Sequence, residues 1–226
     1  MIFYGIEYLI WISPALILSM LAQLWIRQAY AQTSQVPAQM SGFQAARKLL
    51  DAHGLYDVEI GQVPGVMSDH YDPRNKTLGL SRDVYHGRSM AAVGIAAHEA
   101  GHALQDAARY LPLVMRNFSV GASWYGTNFS WMLLALGILM AQPVIMLVGI
   151  ALFGIVVLVQ IVNLPVEFDA SARAKRELVS LGIINDEELP HVKSMLNAAA
   201  LTYLAGVLQS PLTLLYYLGK YNRGSH

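Results

Sequence analysis

No cysteine occurs among the 226 residues. That excludes disulfide bonds and thiolate ligands, so any bound metal has to be held by His, Asp or Glu. Charge is scarce as well: only 13% of the residues are Asp, Glu, Lys or Arg, and the formal net charge is zero. No basic run stands out, the electrostatic footprint of a nucleic-acid binder is absent, and nucleic acid is not expected as a partner. Hydrophobicity takes the place of charge. At 55% hydrophobic content the chain is too apolar for an ordinary soluble domain and points to an integral membrane protein, with the lipid bilayer as its first partner.

Four apolar stretches approach or reach the roughly 20 residues needed to cross a bilayer as helix. The first runs from about Ile2 to Ile26, interrupted by Glu7 and Pro14; it is longer than a signal peptide and has no basic residue at its start, so it is expected to be a retained anchor (1–26). The second (about Phe118 to Ala141) and third (about Val144 to Val162) are separated only by Gln142 and Pro143, which predicts a tight helical hairpin (118–162). The fourth, about Ala198 to Leu218 within 198–222, carries Gln209-Ser210-Pro211 in its middle, which would kink it or make it re-entrant. The tail Arg223-Gly224-Ser225-His226 resembles the stub of an expression tag and is set aside. Lys and Arg crowd the polar regions between the first and second spans (27–117) and between the third and fourth (163–197), whereas the hairpin turn has none. The positive-inside rule then places both polar regions in the cytoplasm and the hairpin turn outside.

The most informative pattern lies in the first polar region. His98-Glu99-Ala100-Gly101-His102 is an HExxH set in small apolar residues, with no proline from Ser89 to Tyr110 and with Ser89 placed to cap a helix. On a helix, positions i and i+4 share a face, so His98 and His102 can offer imidazole nitrogens to one zinc ion. Glu99 then stands beside the metal, where a carboxylate can take a proton from a zinc-activated water and hand it to a leaving amine. The plainer alternative is a polar stripe on a buried helix. Burying these groups among so many Ala and Gly would be costly without a partner, and a metal is the partner that fits.

Ahead of the motif, Ser41 is expected to cap a helix from Gly42 to His53 that stops at Gly54. Tyr56 to Val63 reads as a strand, Asp69 to Lys76 as a turn and Thr77 to Leu80 as a second extended segment. Helix, strands and then a metal-bearing helix is the order of elements in zincin-type peptidases, where an edge strand pairs with extended substrate. Lys76 to Ser81 is the candidate for that edge, with an ordinary hairpin packed under the helix as the equal alternative.

A catalytic zinc needs a third protein ligand. Glu167 follows the third span, and Pro165 suits the first turn of a new helix. Taken alone, Glu167 and Asp169 could equally complement a helix N-terminus; beside an HExxH, Glu167 becomes the expected third ligand. Asp169 lies about 200° around a helix from Glu167, so it is expected to pair with Arg173 instead. His53, His70 and His86 read as surface or helix-end residues. His191 is a reserve ligand or transition-state donor, and Tyr203 a candidate donor to a developing oxyanion against its plainer role as an interfacial aromatic.

Together, His98 to Gln105, Asp69 to Pro73, Leu80 to Tyr85 and Glu167 to Ser171 resemble the YugP-like family of membrane zinc metallopeptidases. That family is similar in motif order to membrane zinc proteases of the CAAX-prenyl-protease and heat-shock type, in which the HExxH helix is followed by a Glu ligand within an ExxxD helix. The resemblance implies one zinc per chain, His98, His102 and Glu167 as ligands, and Glu99 as general base. Ser171 stands where those relatives have Asp, leaving Asp169 or Asp106 to orient a ligand histidine. The expectation is a mainly α membrane protein with about four transmembrane helices and a small zincin-like α+β cytoplasmic domain, acting as a zinc endopeptidase on membrane-associated or unfolded protein. The alternatives are a zinc-stabilised, non-catalytic membrane scaffold and a zinc hydrolase of a lipid-linked amide.

Overall fold

The structure, a computed structural model, describes residues 2–224, without the side chains of residues 2–4, 120–122 and 223–224; Ser225 and His226 of the tag-like tail lie outside the described residues. The protein is mainly helical. Its elements are α1 (Ile2–Ser34), α2 (Gly42–Ala52), β1 (Glu59–Val63), β2 (His70–Asp72), β3 (Thr77–Ser81), α3 (Arg82–His86), α4 (Met90–Ala107), α5 (Leu111–Leu139), α6 (Pro143–Ser180) and α7 (Leu189–Gly224). Two compact units result. One draws on the start of α1, on α5 from Val114, on α6 as far as Pro165 and on α7 from Thr202; the other comprises Gln23–Leu113 and Val166–Leu201.

Among the described residues, three helices are long and apolar enough to cross a membrane: Gly5–Ser34, Pro143–Ser180 and Leu189–Asn222. The fourth expected span, α5, is a continuous helix of 29 residues, not all of whose side chains are described, and is not among these three. Ser119, Ser123 and Thr127 each donate a 2.7 Å hydrogen bond to the carbonyl four residues back, which satisfies a hydroxyl within an apolar setting. The turn after α5 is as short as its sequence implied. Ala141 takes φ 52°, and Pro143 opens α6, where its missing N–H costs nothing. In this unit Leu134, Met146 and Ile150 form a buried cluster packed by Leu214, Tyr217, Leu218 and Tyr221.

Two expected interruptions do not occur. α6 runs unbroken through Pro165, where a new helix was expected to start, and α7 runs unbroken through Pro211, where re-entry had been open. Proline removes one N–H from a helical ladder, and a long apolar helix held by its neighbours tolerates that loss. At about 1.5 Å per residue, the 38 residues of α6 extend about 57 Å, nearly twice a bilayer's hydrocarbon thickness of about 30 Å. Glu167 thus follows the apolar stretch within one continuous helix. α1 likewise continues to Ser34, past Ile26, where the expected anchor ended.

The second unit is built on local signals that agree with one another. Ser41 caps α2 in a reciprocal box with Gln44: the Gln44 amide N–H donates to Ser41 Oγ at 3.3 Å, and the Ser41 N–H donates to Gln44 Oε1 at 3.0 Å. Gly54, at φ 72°, follows the end of the helix. The sheet has the order β1-β3-β2, with β1 parallel and β2 antiparallel to β3. That order overturns the expectation that Lys76 to Ser81 is a free edge, because β3 is the central strand and its backbone is paired on both sides. Its Leu78 and Leu80 are fully buried and join Leu49, Leu50, Val93, Leu178 and Val192 in the core of this unit. Each such side chain contributes about 1.5–3 kcal/mol. Ser89 caps α4 through Ala92 N, and Met90 to Ala97 are buried except for half-buried Ile95, so the motif helix is the spine of the unit.

Candidate metal centre

α4 presents His98 and His102 one turn apart, with ring centroids 4.9 Å from each other, and α6 brings Glu167 to them. His98 Nε2 lies 3.2 Å and His102 Nε2 3.7 Å from Glu167 Oε2. All three ligand atoms fall within 4.8 Å of one another, and the three side chains are buried to 12%, 8% and 5% residual exposure. Gly101, inside the motif, permits the approach. A Cβ at that position would sit 2.7 Å from the backbone oxygen of Ala170 on α6, so α4 and α6 touch backbone to backbone between the two motif histidines. Gly101→Ala is therefore expected to push the helices apart, lowering stability by about 1–3 kcal/mol, the usual cost of overpacking, and weakening metal uptake. Thermal melts and bound-metal analysis check this; an alanine variant that melts and loads like the parent would show that the close approach is dispensable.

The far side of each imidazole is also engaged. Ser171 Oγ lies 3.1 Å from His98 Nδ1, and Gln105 Oε1 lies 3.0 Å from His102 Nδ1. Ser171, where the resemblance had led to an Asp being expected, thus itself reaches His98. Neither expected substitute does so: Asp106 accepts from the Tyr71 hydroxyl at 3.0 Å, and Asp169 accepts from Gln105 Nε2 at 2.9 Å and from Arg173 Nε at 2.6 Å. The Asp169–Arg173 pair is the i, i+4 pair its spacing implied. Gln105 had no assigned role, although its spacing of three residues from His102 puts both on one helix face.

Glu99 follows His98 on α4, is half-buried, and contributes charge that favours the protonated form of His102. Burial opposes a charge on His102, but the hydrogen bond it donates to Glu167 and the charges of Glu99 and Glu167 outweigh it and raise its pKa above the ordinary value. Tyr71, half-buried against Asp106, is pushed well above the usual phenol range by burial first and by that carboxylate second. Other candidates stand elsewhere. His191 is exposed in the first turn of α7 and is not among the clustered residues; Tyr203 is 44% exposed and belongs to the other compact unit. His53 contacts Leu49 O and Glu177, His70 contacts Ser68 O, and His86 contacts Gln62.

The donor set fits zinc. Two imidazoles expose Nε2 toward one carboxylate oxygen, with both Nδ1 atoms occupied, and the surrounding carboxylates favour a cation. Two nitrogens and one oxygen from a helix pair are the ligands of many catalytic zinc sites.

Comparison with known proteins agrees with this chemistry. Residues 8–222 match the family described as "Putative neutral zinc metallopeptidase". The chain is 40% identical over 206 residues to "Putative membrane protease YugP" of Bacillus subtilis (strain 168), covering 90% of this chain and 92% of that protein. No solved structure matches it.

Proposed function

The chain belongs to the YugP-like family of neutral zinc metallopeptidases, and from that premise we propose that it is a multi-pass integral-membrane endopeptidase that hydrolyses peptide bonds of membrane-associated or unfolded proteins. The convergence of both Nε2 atoms on the Glu167 carboxylate, from residues 69 positions apart in the case of His98, is the observation that carries this reading. His98, His102 and Glu167 would hold one zinc ion. When bound, zinc lowers the pKa of water and polarises a carbonyl oxygen. Glu99, adjacent to a ligand on α4, takes a proton from the attacking water and returns it to the leaving amine.

We place the site on the cytoplasmic side of the cell membrane, on the Lys and Arg distribution, with α5 as a fourth crossing helix. A four-span arrangement keeps the polar region 27–117 and the α6 segment that carries Glu167 on the same face of the bilayer. Since β3 is paired on both sides, an extended substrate would add to β2, whose outer edge is unpaired among the described residues and whose Tyr71 is tied to α4 through Asp106. The test is metal analysis of detergent-purified protein together with cleavage of unfolded casein before and after chelation. About one zinc per chain and chelator-sensitive cleavage are expected. Zinc without cleavage of casein would favour a scaffold, cleavage of lipid-linked amides alone would favour a lipid hydrolase, and absence of zinc would remove the proposal.

A further inference from the structure

We propose that Gln105 is a positioning residue that imposes the metal-binding tautomer on His102 and couples that histidine to the helix bearing Glu167; this rests on the zinc-site reading above. Its side chain is fully buried and every amide atom has a partner. Nε2 donates to the backbone oxygen of Val166 at 2.8 Å and to Asp169 Oδ2 at 2.9 Å, and Oε1 lies 3.0 Å from His102 Nδ1. A peptide carbonyl and an ionised carboxylate only accept, so both amide hydrogens must point toward them. Flipping the amide would set its oxygen against two acceptors and leave that buried oxygen without a donor. Oε1 therefore faces His102 and can only accept. The proton sits on Nδ1, and the lone pair is left on Nε2, the atom directed at Glu167.

The lock is itself held in place. Asp169 is fixed by Arg173 Nε at 2.6 Å, the Arg173 guanidinium lies 5.8 Å from the centre of the Tyr110 ring, and the Tyr110 amide donates to the Gln105 backbone oxygen at 2.9 Å. The circuit closes on the residue where it began. It also reaches Val166, the neighbour of Glu167, so one side chain fixes a ligand on α4 relative to a ligand on α6. Ser171 serves His98 differently, because a hydroxyl can donate or accept and so imposes no tautomer.

Three proteins test this: the parent, Gln105→Leu, and the pair Gln105→Glu with Asp169→Asn, in which residue 105 still accepts from His102 while residue 169 becomes the donor. Zinc affinity is read by competition with a chelator of known affinity, and the proton position by long-range nitrogen–proton spectra of the imidazoles, zinc-loaded and, at alkaline pH, metal-free. Gln105→Leu is expected to bind zinc about 10–100-fold more weakly, with His102 no longer confined to the Nδ1-protonated form, and the paired variant to restore that form and recover part of the loss, because Val166 O remains without its amide donor. The inference falls if the parent carries the His102 proton on Nε2, or if Gln105→Leu binds zinc within about twofold of the parent. If Gln105→Leu does not fold, the paired variant and the parent spectrum decide. A parent that takes up no zinc refutes the zinc site itself, and the metal-free spectrum still reports separately whether Gln105 sets the tautomer.

Discussion

Glu99→Gln is expected to lower peptide hydrolysis by about 10²–10⁴-fold, the range contributed by a positioned general base, while about one zinc per chain remains bound. In activation free energy that is roughly 3–5 kcal/mol. The substitution is informative because the structure isolates it. Glu99 does not belong to the ligand cluster, so replacing its carboxylate with an amide of the same shape removes proton-accepting ability without removing a ligand. Only the charge that Glu99 adds near His102 is lost besides. The checks are turnover of a peptide reporter, metal content and the melting temperature, measured on the same preparation. A variant that cleaves at the parental rate would move the base elsewhere.

Glu167→Ala is expected to abolish activity and to weaken zinc binding by more than the 10–100-fold that loss of an orienting partner costs. The side chain is 5% exposed, so its removal leaves a small buried void and two imidazoles that have lost their charged partner. Stability should fall with the metal. A ligand held at about a thousand times its Kd adds roughly 4 kcal/mol to folding, and a site that no longer binds forfeits that increment. The melting temperature of the parent should therefore drop on chelation, while that of Glu167→Ala should not move. If the alanine variant kept its full zinc content, the third ligand would have to be sought outside this cluster, with His191 the first residue to replace.

Sequence and structure divide along the range of the interactions involved. His98, Glu99 and His102 lie within one helical turn, so their common face follows from helix geometry and could be read directly. The same holds for Ser41 and Ser89 as helix caps and for Asp169 with Arg173, whose partners lie three or four residues away. β1 and β3 were legible from periodicity, but β2 lies inside the stretch read as a turn, and the strand order was not legible. Pairing of β1 with β3 across the intervening β2 depends on burial of Leu78 and Leu80 on the central strand, and that placement turned the expected substrate edge into a paired interior. Pro165 and Pro211 misled for the related reason that a proline's local penalty is set against packing that no local pattern displays. Ser171 was read as a missing partner because its residue type was compared with that of relatives, whereas its distance to His98 is what counts.

The amino-acid sequence by itself determined the apolar helices, the exclusion of thiolate chemistry and the two-histidine motif with its neighbouring carboxylate, since each of these depends on composition or on spacing within a few turns. Only the tertiary structure decided that α6 continues unbroken through Pro165 and lays Ala170 against Gly101. That contact brings Glu167, Ser171 and the Gln105 circuit to the two imidazoles, because close packing of two helix backbones is settled by the space that glycine leaves and not by any periodicity along the chain.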